Sequence, residues 1–272
     1  MSDRIYKIFF TLGLTLILVW GCTEKINIEL IEADRKLVIE GTITNEIKAH
    51  EVRLTKSSGY YDNERPEPVQ GAKVTIQDFN NMYELVEVLP GIYQTFPDVR
   101  GDPGSTYTLI VEVENEKYIA VSKMPWTPLL DSIKFYEDDI DPNVIYIGLF
   151  APENPIPGNN YYFNVYKDDI LLSNDLTKRT YVNDDLINGR YLFGLKVHTI
   201  KAQLGNRITL EVGSISKEYF KYCLAIIRET AYADSPFEAA PGNINGNISN
   251  GAFGYFSAHS IVRKTKIYQR KE

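Results

Sequence analysis

The chain is predicted to be mainly β, built as two tandem β-sandwich domains with one α-helix in the second, and three observations predict this. From Lys36 onward apolar and polar residues alternate with period two between clusters of turn residues, as half-buried strands do. Met124-Pro125-Trp126-Thr127-Pro128 breaks the alternation with two prolines, which have no N–H to give a central ladder. Apolar spacings of three and four stand out in one place, near 216–232, and mark the helix.

The elements follow in chain order. Arg4 and Lys7 precede an apolar stretch from Ile8 to Val19, the layout of an export signal. That stretch falls short of the about 20 apolar residues that a membrane-crossing helix needs. It ends at Val19-Trp20-Gly21-Cys22, which resembles the lipobox of bacterial lipoproteins, so residues 1–21 are expected to be cut away and Cys22 to carry lipid. Several acyl chains together hold a protein at a bilayer, each buried methylene contributing about 0.8 kcal/mol. A lipidated tether, 22–35, then leads to the N-terminal sandwich, 36–123. Its strands are expected at 36–41, 50–55, 72–76, 83–88, 91–95, 107–113 and 118–122, with a loop from Ser57 to Pro68 containing Gly59 and Pro66. A linker, 124–130, separates it from the C-terminal domain, 131–272. Strands are expected there at 132–136, 144–150, 161–167, 181–182, 191–197 and 207–214. Ser216 is placed to cap the helix, whose Tyr219, Tyr222, Cys223, Ile226 and Ile227 share one face expected to be core. Pro241 to Gly254 is rich in Asn and Gly, and both Asn245-Gly246 and Asn250-Gly251 favour the positive φ of tight turns. A last strand, Tyr255 to Lys264, is expected to close the second domain.

Composition narrows the function. With 44% hydrophobic and 24% charged residues the chain reads as folded, not disordered. Its formal charge of -7 becomes -8 once Asp3, Arg4 and Lys7 leave with the signal, which argues against nucleic acid as a partner. There are two cysteines, and a lipidated Cys22 leaves Cys223 without an intrachain partner, so the fold is not disulfide-stapled. Cys223 is expected to be a small buried apolar residue.

Several segments together resemble a family. They are Cys22-Thr23-Glu24-Lys25-Ile26-Asn27-Ile28-Glu29-Leu30, Lys36-Leu37-Val38-Ile39-Glu40-Gly41, Val69-Gln70-Gly71-Ala72-Lys73-Val74-Thr75-Ile76, Gly91-Ile92-Tyr93, Gly104-Ser105-Thr106-Tyr107-Thr108-Leu109, Leu130-Asp131-Ser132-Ile133, Gly242-Asn243-Ile244 and Gly254-Tyr255-Phe256-Ser257-Ala258. Over nearly the whole mature chain they resemble the Bacteroidota outer-membrane lipoproteins catalogued as domain of unknown function 4249. The resemblance implies an outer-membrane lipoprotein found alongside TonB-dependent transporters, with a first domain like the prealbumin, carboxypeptidase-regulatory or immunoglobulin sandwiches. It brings no reaction and no ligand.

No catalytic constellation is legible. His50, His198 and His259 are far apart and lack the short spacings of a zinc motif. A Walker phosphate loop and a nucleophile elbow are both missing. Asp139, Asp141 and Asn143 alternate like the first ligands of an EF-hand loop, but Val144 stands where that loop needs Gly and Phe150 where it needs a bidentate Glu. A solvated acidic turn is the simpler expectation, with calcium the alternative. Asp168-Asp169 and Asp184-Asp185 are read as turns between strands. Tyrosine is abundant, at 19 residues, and pairs a flat apolar face with a hydroxyl. Tyr60 and Tyr61, in the proline-flanked loop, are the candidate ligand-binding residues. The expectation is therefore a lipid-anchored protein of the outer membrane, at the cell surface, that binds or assists beside a TonB-dependent transporter, without a cofactor and without catalysis. A structural or adhesive envelope protein is the alternative, and a glycan- or peptide-processing enzyme the remaining one.

Overall fold

The computed structural model describes residues 35–58, 65–141, 143–173, 175–231 and 244–269, which belong to one compact unit, 35–272. The export signal, the tether with Cys22, and Tyr60 and Tyr61 lie outside the described residues.

Strands come first: β1 (Leu37–Thr44), β2 (Glu51–Lys56), β3 (Lys73–Gln77), β4 (Met82–Leu89), β5 (Ile92–Gln94), β6 (Thr106–Val113) and β7 (Glu116–Lys123). Then follow β8 (Ser132–Glu137), β9 (Val144–Pro152), β10 (Asn160–Lys167), β11 (Ile170–Leu171), β12 (Thr180–Asn183), β13 (Tyr191–Lys201), β14 (Arg207–Ile215), helix α1 (Lys217–Ala231) and β15 (Phe253–Ile267). A 3₁₀ turn, Leu176–Lys178, separates β11 from β12. The protein is mainly β, and α1 is the one α-helix among the described residues. Ser216 Oγ accepts from Tyr219 N at 3.1 Å and so caps α1 as its position predicts. Asp168 and Asp169, both at positive φ, make the tight turn between β10 and β11.

Most strands join one sheet, in the order β11-β10-β14-β15-β1-β2-β5-β4-β3-β6-β7 with β12 also on β10; β13-β9-β8 form a second sheet. Here the structure departs from the sequence expectation. β15 does not serve the second half alone: Phe253 to His259 run parallel to β1, and Ser260 to Ile267 run antiparallel to β14. At the changeover the side chain of Asn45, just past the end of β1, replaces a strand. Its Nδ2 donates to Ile261 O at 3.2 Å and its Oδ1 accepts from Ile261 N at 2.7 Å. The polar groups of Ile261 are thereby paired where β1 has left the sheet.

The buried strand faces form cores. Ile39, Ile43, Val74, Ile76, Tyr107 and Leu109 fill the first, with Phe256 and Ala258 of β15 among them. The second lies between the two sheets, where Ile145, Ile147 and Leu149 of β9 meet Phe163, Val165, Ile208 and Leu210 of β10 and β14. Met124 is buried in the first core and Leu130 in the second, so the proline segment passes from one to the other. A third, smaller cluster packs α1 through Tyr219 and Cys223 onto Tyr162, Ile215 and Tyr255, on the opposite face of β10, β14 and β15. Asn250-Gly251 adopts the expected positive φ, at 57° and 71°. Asn245-Gly246 does not. Gly246 is needed for a different reason, since a side chain there would strike the carbonyl of Gly254.

Candidate functional site

Because side chains alternate along a strand, the residues between the core positions all face the other way. On β10 these are Tyr162, Asn164 and Tyr166, on β14 Glu211, on β15 Tyr255, His259 and Arg263, and on β1 Glu40, Thr42 and Thr44. The shared strand β15 aligns them across one sheet. With α1 on one side and the β1 to β2 loop on the other, they line a cleft of about 630 Å³. That is the size of an ordinary small-ligand site.

At the floor sits a buried carboxylate. Glu211 is 2% exposed and accepts from Asn164 Nδ2 at 2.7 Å, Arg263 Nε at 2.8 Å, Tyr166 Oη at 3.0 Å and Tyr162 Oη at 3.2 Å. A charge this deep is tolerable only when so fully paired. Tyr162 Oη also lies 3.2 Å from His259 Nε2, and Ser257 Oγ lies 3.2 Å from His259 Nδ1. The donor order that satisfies every atom runs from Ser257 to His259, from His259 Nε2 to Tyr162, and from Tyr162 to Glu211. Burial, and next the nearby Arg179 charge, push the His259 imidazole down to about 3, so the ring is a neutral relay at physiological pH. Burial likewise holds the Tyr162 hydroxyl far up and protonated. Gly213 of β14 makes room for the Tyr162 ring, since any side chain at 213 would overlap it.

The walls are aromatic. Tyr219 and Tyr222 of α1 pack on Tyr255 of β15 at 5.0 and 4.8 Å between ring centres, and Tyr219 stacks over His259 at 6.4 Å. Arg179, the residue after the 3₁₀ turn, lays its guanidinium over Tyr162 at 5.2 Å.

Other sequence candidates fall elsewhere. Asp141 Oδ1 accepts from Asn143 N at 2.9 Å and from Asn143 Nδ2 at 3.2 Å, while neighbouring Asp138 caps Ile140 N and Asp141 N. Asp138 and Asp141 thus bond largely within the turn, with Asp138 also accepting from Tyr146 Oη at 2.6 Å, and no cluster of three His, Cys, Asp or Glu side chains suited to a metal occurs among the described residues. His50 is buried in the wall of the cleft between Thr44 N and Val99 O, and burial pushes it down to about 4. His198 stands apart on β13 beside Thr180. Asp184 lies in the turn between β12 and β13, as expected, but is buried there at 1% exposure and accepts from Gly158 N and Asn159 N, organising that loop. Cys223 is fully buried, and burial pushes its thiol up, away from reactivity. Of the cleft residues, His50 and His259 stood out in the sequence as histidines, and Tyr219 and Tyr222 as part of one helix face. Two signals could have found others, although neither is specific: an acid, Glu211, within the alternating strand Ile208-Thr209-Leu210-Glu211-Val212, and tyrosines at alternate positions of β10.

By fold and site the chain is a mainly β protein with a polar, tyrosine-walled cleft over a buried ion pair. It belongs to the family described as domain of unknown function DUF4249, whose profile matches residues 23–265. No curated protein matches. Among solved structures it is similar to a two fibronectin type-III domain segment of chicken tenascin, at 15% identity, over 67% of this chain and 92% of that one, with a TM-score of 0.22. It is also similar to the BSP domain of a biofilm associated protein, at 12% identity, over 65% of this chain and 26% of that one, with the same score. No helix among the described residues is long and apolar enough to cross a membrane.

Proposed function

We propose that this protein is a lipid-anchored binding component of the outer membrane, at the cell surface, working beside a TonB-dependent transporter, with the cleft over Glu211 as its ligand site. One observation carries the reading: five tyrosines, two histidines and three arginines from β2, β10, β15, α1 and the loops beside them converge on a concave face turned away from the core between the two sheets. Tyrosine supplies flat contact area with a polar edge, which suits a small polar ligand. The anchor rests on the lipobox-like Val19 to Cys22 sequence, and the transporter on the character of the family the chain resembles. Binding without turnover is the reading because His259, the histidine at the floor, is held by burial far below the usual imidazole range and has both ring nitrogens engaged, which makes it a poor base. Two measurements test it. Gentle extraction of native membranes with the tagged protein should recover a β-barrel transporter, and Cys22→Ser should release the protein from the membrane fraction. An unmodified Cys22 by mass spectrometry, or repeated recovery of the protein alone, would refute the placement.

A further inference from the structure

Four cationic side chains line the cleft, and three of them have a carboxylate partner. Lys48 pairs with Glu46 at 3.2 Å, Arg53 with Glu51 at 3.7 Å, and Arg263 with both Glu211 and Glu46. Arg179 has no carboxylate within ion-pair distance among the described residues. Asp175, close in sequence, spends its own on Thr177 N and Thr177 Oγ1. Yet Arg179 Nε is buried with no hydrogen-bond partner, and so is Tyr181 Oη two residues on. Burying a guanidinium N–H without an acceptor is costly, and the face of Tyr162 compensates only in part because it takes no conventional hydrogen bond. Of these two residues, Arg179 lines the cleft, where its guanidinium is open to an acceptor supplied from outside.

We propose that Arg179 anchors a carboxylate group of the ligand, whose remaining flat part lies against Tyr219, Tyr222 and Tyr255. This rests on the reading of the cleft as a binding site. A carboxylate fits better than a phosphate for a reason of charge. Among the described residues Arg179 alone of the four cations lacks a direct carboxylate contact, and because Glu40 and Glu211 also line the cleft a dianion would bring more negative charge toward them than a singly charged group does. The fork of Arg179 is also suited to the planar, two-oxygen acceptor.

The purified full-length protein is titrated with sodium benzoate, with benzamide as the neutral isostere and phenyl phosphate as the dianion, at fixed ionic strength and read by nuclear magnetic resonance shifts. Benzoate should bind, with benzamide weaker by roughly tenfold or more, and Arg179→Met should remove that difference. Without ligand, Arg179→Met should melt no lower than the parent protein, because it deletes an unpaired charge and keeps an apolar stem. Lack of benzoate binding, equal binding of benzamide, tighter binding of phenyl phosphate, or a lower melting temperature for ligand-free Arg179→Met would each overturn the assignment. Neutral oligosaccharides are run in parallel on both proteins. If they bind while benzoate does not, the carboxylate anchor falls and the cleft stands as a site; if neither binds, both fall.

Discussion

Replacing Glu211 by Gln keeps the shape of the side chain and removes its charge from beneath Arg263, at a site that is 2% exposed. The amide must then turn an NH2 group toward donors, because Asn164 Nδ2, Tyr162 Oη, Tyr166 Oη and Arg263 Nε all donate to this one group. Removing one member of a buried pair costs about 3–5 kcal/mol. Arg263 is 36% exposed and keeps Glu46, so solvent and the second carboxylate reduce this to about 2–3 kcal/mol. For a domain of this size that is a fall in Tm of roughly 4–12 °C. The assay is a double-mutant cycle of Glu211→Gln, Arg263→Met and the pair, followed by urea and thermal unfolding. The double variant should lose less than the two single losses together, with a coupling above about 1 kcal/mol. Independent effects, or a Glu211→Gln variant within about 0.5 kcal/mol of the parent, would show that the buried pair does not hold the floor of the cleft together.

Further outcomes follow from the same geometry. His259 and His50 titrate in the folded state at about 3 and about 4, below the ordinary 6.5, so the unfolded chain binds more protons between those values. Stability is therefore complete above about pH 6.5 and falls as the pH drops toward 4, and His259→Gln should flatten urea midpoints measured between pH 7.5 and 4.5. Gly213→Ala pushes a methyl into the Tyr162 ring and should cost about 1–3 kcal/mol by thermal unfolding, with loss of the ring contact visible in near-ultraviolet circular dichroism. Asn45→Ala removes two hydrogen bonds to Ile261 and should cost about 1–3 kcal/mol, with faster amide exchange at Ile261 than elsewhere on β15.

The strands were largely legible because each is a local pattern. Alternation in Glu51–Lys56 or Thr106–Val113 reports a buried and a more exposed face whatever the strand's neighbours are. β11 was missed because two residues carry no period, and the 3₁₀ turn because three residues make less than an apolar face. The candidate site was not legible. Tyr162, Arg179, Glu211 and His259 are up to 97 positions apart, and only pairing brings them together. Tyr60 and Tyr61 stood out by loop context, whereas the tyrosines that share the cleft are ordinary strand and helix residues in sequence.

Taken alone, the sequence determined the class of the protein, the strands and their faces, the capped helix, the buried inert thiol at Cys223 and membership of its family, all of which depend on short-range periodicity or motif. The tertiary structure decided that β15 is divided between β1 and β14, and thereby that a glutamate, a histidine and an unpaired arginine face one another. Strand register over such separations is selected by total burial and hydrogen-bond satisfaction across the whole sheet, a quantity that no single window of residues contains.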